Sequence, residues 1–284
     1  MIIAPTLWSI AGVVTRHLSP ELQSAGRFEI TFWRSFFAAI FVAGYLTWRK
    51  DLVAALHRAG SAGLISGAMW AIMFITFMLA LTLTSTANTL IVLAIAPLVT
   101  ALLARAVLRT AIAPRTWAAI VIAMAGIGAM FVENFSVSSA ASVAGMLIAF
   151  GAPLASAVNI VLLKKRGAAV DLIPAVLIGA ALSAALMLPF SFPLIAQPRD
   201  IMLLAVLGFF QLGLPCTLLV IAARHLSATE VALLALIEVV LGPLWAWLGA
   251  GEAPSTTAIA GGAMVLAALV LNELWTVTRR QADA

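Results

Sequence analysis

The chain has 284 residues, of which 64% are hydrophobic and only 10% are charged, and its mean hydropathy is +1.14. Soluble domains carry about 25% charged residues, so these values exclude an ordinary soluble protein and indicate repeated membrane crossings. The net charge of +5 does not indicate a nucleic-acid partner, because the basic residues fall in short loops between apolar runs. A single cysteine excludes an internal disulfide and a cysteine-based zinc site. We predict no metal and no cofactor.

Ten apolar stretches follow one another along the chain, each near the length of about 20 residues that crosses the hydrocarbon core. They cover residues 2–16, 29–48, 61–82, 85–104, 115–132, 143–163, 172–191, 201–223, 228–250 and 255–275. The first stretch has neither a basic leading segment nor a convincing cleavage site, so we interpret it as a span rather than a signal peptide. The predicted fold class is an all-α integral membrane protein with ten transmembrane helices.

Several predicted spans begin with residues that favour the start of a helix. Pro114 suits the first position of the fifth span, and Asp171 and Asp200 are expected to cap the seventh and eighth. Ser227 and Glu230 have the spacing of a capping box before the ninth span. We therefore interpret Glu230 as a capping residue rather than a ligand.

The distribution of basic residues predicts the orientation in the membrane. With the N-terminus inside, 12 of the 16 lysines and arginines fall on the inner side, as the positive-inside rule requires. These residues are Arg49, Lys50, Arg58, Arg105, Arg109, Arg115, Lys164, Lys165, Arg166, Arg224, Arg279 and Arg280. We expect a multi-pass protein of the cell inner membrane with both termini in the cytoplasm.

Similar residues recur at a spacing of 142 positions, which indicates an internal repeat. Glu29 matches Asp171 and Ser85 matches Ser227 at this spacing. Each half, residues 1–138 and 139–284, contains five predicted spans, and five is odd. The second half must therefore enter the membrane in the opposite sense from the first. Such inverted repeats are typical of secondary transporters, in which the substrate binds near the midplane between the halves.

Short motifs spread over nearly the whole chain carry a family resemblance. They are Phe32-Trp33-Arg34-Ser35-Phe36, Thr84-Ser85-Thr86-Ala87-Asn88, Leu226-Ser227-Ala228-Thr229-Glu230, Ile237-Glu238 and Gly251-Glu252-Ala253-Pro254. They resemble the drug/metabolite transporter superfamily, in particular its EamA-type ten-span transporters. The arrangement looks most like the YddG-like branch, and this resemblance implies export of amino acids, including aromatic ones.

Motifs of enzymes are absent from the sequence. There is no Walker A motif, no HExxH, no Gly-x-Ser-x-Gly and no GxGxxG. We therefore predict that the chain is not an enzyme and does not pump with ATP. Transport would be driven by the gradient of the substrate or of a coupled ion.

Two charged residues lie inside predicted spans. Glu238 stands well within the ninth, where a charge costs roughly 2.5–3.5 kcal/mol. It either couples protons or binds a substrate amine, or else it ties the ninth span to a neighbouring helix. Arg34 lies about one turn into the second span, where it could bind a substrate carboxylate. Outward snorkelling or pairing with Glu29 is the favoured interpretation.

Neutral polar and aromatic residues complete the predicted site. Asn88, Asn159 and Gln211 stand inside apolar runs and should face the interior of the bundle. There they would hydrogen-bond a zwitterionic substrate or join neighbouring helices. Trp8 and Trp70 would line an apolar pocket, or pack against lipid and other helices.

The sequence thus predicts a secondary transporter that exports small metabolites by alternating access, with neutral and aromatic amino acids as the expected substrates. A mostly apolar cavity with few charges suits a zwitterionic head and disfavours phosphorylated solutes. One alternative is an exporter of cationic drugs with Glu238 as the counter-charge. Another is a membrane scaffold that transports no solute. The predicted partners are the small-molecule substrate and the lipid bilayer, and no oligomeric state is indicated.

Overall fold

The computed structural model describes residues 1–84, 86–109, 111–131, 139–166, 171–250 and 256–282, and every regular element within these ranges is helical. The predicted boundary after residue 138 adjoins a segment outside the described residues. Two parts of the motifs, Ser85 and residues 251–254, also lie outside them.

The helices follow one another in chain order with short connections. They are α1 (Ile3–Trp8), α2 (Ala11–Thr15), α3 (Pro20–Ala25), α4 (Arg27–Trp48), α5 (Leu52–Leu83), α6 (Thr86–Leu93), α7 (Ala96–Leu108), α8 (Pro114–Phe131), α9 (Ala140–Ala149), α10 (Gly151–Arg166), α11 (Ile173–Met187), α12 (Pro198–Val206), α13 (Leu214–Ala222), α14 (Ala228–Ala235), α15 (Ile237–Ala250) and α16 (Thr256–Ala282). A 3₁₀ turn, Leu188–Phe190, follows α11, and a π-helical turn, Leu207–Gly213, joins α12 to α13.

Seven helical segments in the described part of the chain are long and apolar enough to cross a membrane. They are Arg27–Trp48, Leu52–Leu83, Asn88–Leu108, Ala140–Lys165, Ile173–Phe190, Pro198–Ala222 and Ala228–Gly249. Three shorter apolar helices, Ile3–Thr15, Pro114–Ala129 and Ile259–Asn272, fall at the predicted first, fifth and tenth spans. The all-helical class is confirmed, and the count of ten spans stays a prediction.

The helix starts follow the sequence signals with one exception. Pro114 begins α8, and the Ser227–Glu230 capping box forms at α14. Asp171 stands one residue before the cap residue of α11, Leu172, but its carboxylate accepts a hydrogen bond from the Ile173 nitrogen at 3.1 Å. The expected cap at Asp200 is wrong, because α12 begins earlier, at Pro198. Asp200 is instead the third residue of that helix and accepts a bond from the backbone of the cap residue, Gln197.

Glycines allow the central helices to approach closely. A Cβ atom on Gly179 of α11 would lie 2.8 Å from the Gly67 carbonyl oxygen of α5. A Cβ atom on Gly208 of the π turn would lie 2.7 Å from the Arg34 carbonyl oxygen of α4. Small residues at such positions hold membrane helices together by direct packing. These contacts fix α4 and α5 against the second half of the chain.

Two groups of polar contacts join the halves at opposite ends of the helices. Asp171 pairs with Arg49 at 3.3 Å and with Arg224 at 3.0 Å. At the other end, Asp200 accepts hydrogen bonds from the Ser19 nitrogen at 2.8 Å and the Ser19 hydroxyl at 2.7 Å. Each carboxylate therefore connects segments that are distant in sequence.

Four predicted spans are interrupted near their middle. The interruptions fall at Ser9–Ile10, at Ala94–Ile95, at Phe150 and at Leu236. At two of them the backbone tightens into 3₁₀ geometry, since the Ile95 nitrogen bonds to the Val92 oxygen at 3.2 Å and the Leu236 nitrogen to the Leu233 oxygen at 2.9 Å. Such changes of helical geometry within a helix often mark functional hinges.

Candidate functional site

A cavity of about 110 Å³ lies where the four interrupted spans meet. It is bounded by Trp8 at the end of α1, by Leu93 and Ala96 on either side of the second interruption, by Ala152 of α10 and by Leu236. In membrane transporters, discontinuous helices form the substrate site in this way, because their irregular backbone borders a cavity instead of lipid.

Aromatic and aliphatic side chains make up most of the cavity wall. Trp8 and Trp70 both line it, as do Phe74 and Phe77. The Trp70 side chain is buried, and its indole nitrogen has no hydrogen-bond partner among the described residues. The ring centroids of Trp70 and Phe74 lie 5.5 Å apart. This wall suits the apolar part of a small solute.

Gln211 reaches the cavity from the π turn. Its amide nitrogen donates to the Trp8 carbonyl oxygen at 3.3 Å, which joins the eighth predicted span to the first. Its amide oxygen is buried and has no partner in the described part of the chain. The π turn precedes Pro215, the second residue of α13. Because proline has no backbone N–H, it cannot donate the hydrogen bond that a continuous α-helix would need at this position. The helix that carries Gln211 is therefore irregular where it meets the cavity.

Glu238 lines the same cavity from the second position of α15, directly after the Leu236 interruption. Its side chain is half-buried. It makes no hydrogen bond or ion pair within the described ranges. The interpretation in which Glu238 ties the ninth span to a neighbouring helix therefore has no contact to support it.

Arg34 is buried in the cavity wall, which differs from the favoured interpretation of the sequence. Its side chain is 1% exposed and lines the cavity, so it neither snorkels outward nor pairs with Glu29. Glu29 instead accepts hydrogen bonds from the backbone nitrogens of Ile195 at 2.8 Å and Ala196 at 3.0 Å. The carboxylate is thereby occupied by the loop before α12, which leaves the arginine to the cavity. The feature of the sequence that indicates this cavity position is an arginine inside an apolar span.

Two of the predicted amides lie outside the cavity lining and join helices instead. The Asn159 side-chain oxygen accepts from the Ser66 hydroxyl at 2.6 Å, which connects α10 to α5. The Asn88 amide nitrogen donates to the Thr84 hydroxyl at 2.8 Å and to the Ser142 hydroxyl at 3.4 Å. Of the two interpretations of these amides, helix-to-helix contact is the one that the geometry matches. Asn159 directly precedes the cavity-lining Ile160 but lies on another face of its helix.

Comparison with known proteins identifies the family. A sequence model of the EamA-like transporter family matches residues 1–132 and again residues 143–274. The chain belongs to the EamA-like transporter family. As an EamA-like protein, it is a multi-pass membrane transporter and not an enzyme.

Similar proteins include two exporters from Pseudomonas aeruginosa. The pseudopaline exporter CntI of strains UCBPP-PA14 and PAO1 is 29% identical over 273 residues, which cover 95% of this EamA-like chain and 93% of each relative. A crystal structure with 18% sequence identity superposes with a TM-score of 0.79 over 96% of this chain and 95% of that one. That similarity shows the shared fold. The drug/metabolite transporter assignment is thus confirmed at the level of the EamA family.

Proposed function

We propose that this EamA-like transporter exports small zwitterionic metabolites by alternating access, with neutral and aromatic amino acids as the first substrate class. The observation that carries the proposal is the cavity at the four interrupted helices, where Trp8, Trp70, Gln211 and Glu238 converge. A solute held there lies between the two predicted halves, which is the arrangement that alternating access requires.

Two observations support an inverted repeat of two five-helix halves. The family matches begin at residues 1 and 143, which is the same spacing of 142 that relates Glu29 to Asp171. The helix contacts also come in related pairs. Helix α5 packs on α11 as α4 packs on the π turn, and α7 packs on α10 as α15 packs on α1. The third and seventh predicted spans in the first contact correspond to the eighth and second in its counterpart, and the fourth and sixth correspond to the ninth and first. Each span is thus replaced by the one five places away in the order of predicted spans.

The composition of the cavity wall supports the substrate class. The wall is mostly apolar and includes one acidic residue, Glu238, and one basic residue, Arg34, among the described residues. Arg34 would repel a cationic drug, and a phosphorylated solute would have a single positive charge to balance its negative charges. A scaffold without transport would need no such cavity. An amino acid matches an apolar wall with one group of each charge.

The CntI relatives favour a second candidate substrate. They are named as exporters of pseudopaline and align with nearly the whole of this chain. Their similarity supports the export direction. Pseudopaline itself is therefore the second solute to test.

Counterflow in proteoliposomes tests the proposal. Vesicles preloaded with unlabelled phenylalanine, methionine or threonine are given the labelled form outside, and a second set is given pseudopaline. We expect uptake that requires both the protein and the matching preload. Protein-free vesicles and vesicles without preload are the controls. If correctly folded protein exchanges only pseudopaline, the amino-acid proposal fails and the second candidate replaces it.

A further inference from the structure

The guanidinium of Arg34 is the most unusual charged group in the described part of the molecule. The residue is 1% exposed, and its Nε and Nη1 atoms are buried without any hydrogen-bond partner among the described residues. A buried charge with no partner is far more costly than one in an ion pair. A cost of this kind indicates that a partner arrives from outside the chain.

The surroundings of Arg34 leave the cavity as the place for that partner. Its backbone packs against Gly208 of the π turn, and its guanidinium carbon lies 5.7 Å from the centre of the Phe77 ring. The nearest acidic residue on its own helix, Glu29, is occupied by backbone N–H groups. Because Arg34 lines the cavity, a solute that enters can accept its unused N–H bonds.

The cavity contains an opposite charge as well. Glu238 lines it from α15, and no ion pair joins Glu238 to Arg34 in the described structure. Cys216 lines the same cavity as both groups. The two charges therefore form separate poles of one mostly apolar cavity, one from each predicted half. Neither charge is neutralised by the other in the described structure.

The chemistry of the guanidinium selects the group that it binds. Its N–H donors form a planar fork that matches the two oxygens of a carboxylate. A phosphate dianion would leave one negative charge without a counter-charge at a single arginine. An ammonium group would be repelled by Arg34 and attracted by Glu238. A solute with both a carboxylate and an ammonium satisfies both poles at once.

We propose that Arg34 binds the carboxylate of the transported solute while Glu238 receives its ammonium group. This inference rests on the proposed export function and adds the rule by which substrates are selected. Zwitterions bind best because they satisfy both poles, and a solute with only a carboxylate or only an amine satisfies one pole and binds more weakly. Arg34 is thus a specificity-determining residue of the cavity.

Ligand-dependent thermal unfolding of the purified full chain tests the inference directly. Three probes share one phenyl ring and one carbon chain: phenylalanine, 3-phenylpropionate and 2-phenylethylamine. For the wild type we expect the largest stabilisation with phenylalanine and smaller ones with 3-phenylpropionate and 2-phenylethylamine. In Arg34→Gln the half-saturating concentration of both carboxylates should rise at least tenfold. Arg27→Gln removes the same charge from the start of the same helix and should behave as the wild type.

Stability without ligand separates a binding role from a structural one. Because Arg34→Gln removes an unpaired buried charge, we expect its unfolding temperature without ligand to equal or exceed that of the wild type. Arg34→Lys keeps the charge without the fork and should give intermediate carboxylate binding. A clear fall in stability in Arg34→Gln would mean that the arginine holds the fold, and it would overturn the inference.

The binding and transport measurements distinguish this inference from the proposed function. If 3-phenylpropionate binding depends on Arg34 but no amino acid is exchanged in vesicles, the inference stands and amino-acid export fails. If phenylalanine is exchanged equally by the wild type and Arg34→Gln, export stands and the inference fails. Absence of carboxylate binding to the wild type also overturns the inference.

Discussion

A single carboxylate, Glu238, stands at the point where the ninth predicted span changes its helical geometry. It lines the cavity and lacks an ion pair in the described structure. Ionisable residues inside membrane spans commonly belong to substrate or proton pathways. Its position allows it to exchange a proton with a solute or with water in the cavity, so it is the first residue to test for proton coupling.

We expect Glu238→Gln to remove the response of transport to a pH gradient. Glutamine resembles the protonated acid and cannot release a proton, so a gradient can no longer drive uptake through this residue. The measurement is the ratio of phenylalanine uptake with and without a pH gradient, at saturating substrate. This ratio should fall to about one. Glu21→Gln, at an exposed acid on α3, is the matched control. An unchanged ratio in a folded Glu238→Gln protein would rule out the coupling role.

The site residues also show how far sequence reasoning reaches. Polar residues in apolar spans were expected to face the bundle interior, and Gln211, Asn88 and Asn159 do so. Which part of the interior each one faces depends on the rotation of its helix, because consecutive residues point about 100° apart. Asn159 therefore meets α5 while Ile160 beside it meets the cavity. The sequence favours pairing of Arg34 with Glu29. This prediction is wrong because Glu29 accepts hydrogen bonds from a loop 166 residues away in sequence.

Close helix contacts set the geometry of the elements around the cavity. The Cβ atom of an alanine at Gly179 would lie 2.8 Å from the Gly67 carbonyl oxygen and 3.2 Å from the Ala71 nitrogen, both of them backbone atoms of α5. Backbone atoms cannot move aside as a flexible side chain can. Helix α5 carries Trp70, so separation of α5 from α11 would also displace the cavity wall.

We therefore expect Gly179→Ala to destabilise the protein by about 1–3 kcal/mol, the usual cost of overpacking, and to lower its unfolding temperature. Gly44→Ala is the control, because a Cβ atom there would meet nothing within 4 Å. Both substitutions add one methyl group inside a helix, so intrinsic helix propensity affects them equally. Equal unfolding temperatures for the two variants would contradict this account of the contact.

Helix starts were easier to predict than helix interruptions. Ser227 and Glu230 form their capping box from neighbouring residues alone, so the pattern is visible in the sequence. Asp200 was misassigned because Pro198, two residues before it, sets the start of α12. The interruption at Leu236 has no proline or glycine of its own, and it depends on packing between helices. Local sequence patterns carry no information about such packing.

Orientation is a property of the whole molecule, and the basic residues predict it. On a Cys216→Ser background the chain has no cysteine, because Cys216 is the only one. A cysteine at exposed Arg199 should then react with a membrane-impermeant thiol reagent in intact cells. A cysteine at exposed His57 should react only after permeabilisation. The opposite pattern would place both termini outside and reverse the predicted orientation.

At this scale, hydropathy was sufficient to predict a helical membrane protein, and the EamA family was implied by the resemblance of its short motifs. Burial of apolar residues in lipid is strong enough to be visible in composition alone. The cavity is different, because it arises where α1, α7, α10 and α15 fail to fill the space between them. Small shifts of these helices change its shape without any change in the apolar pattern. Its outline therefore required the structure.

Glu29 and Asp171 occupy equivalent positions of the predicted repeat but form contacts of different kinds at opposite ends of the helices. The arginine partners of Asp171 are 37% and 40% exposed, so dissolved salt screens both ion pairs. Glu29 is buried and accepts bonds from backbone groups, which salt screens far less. High ionic strength should thus loosen only the Asp171 end, by on the order of 1 kcal/mol. That is about a fivefold shift in a two-state equilibrium, so, under the proposed alternating access, the ionic content of one compartment would affect opening at that end.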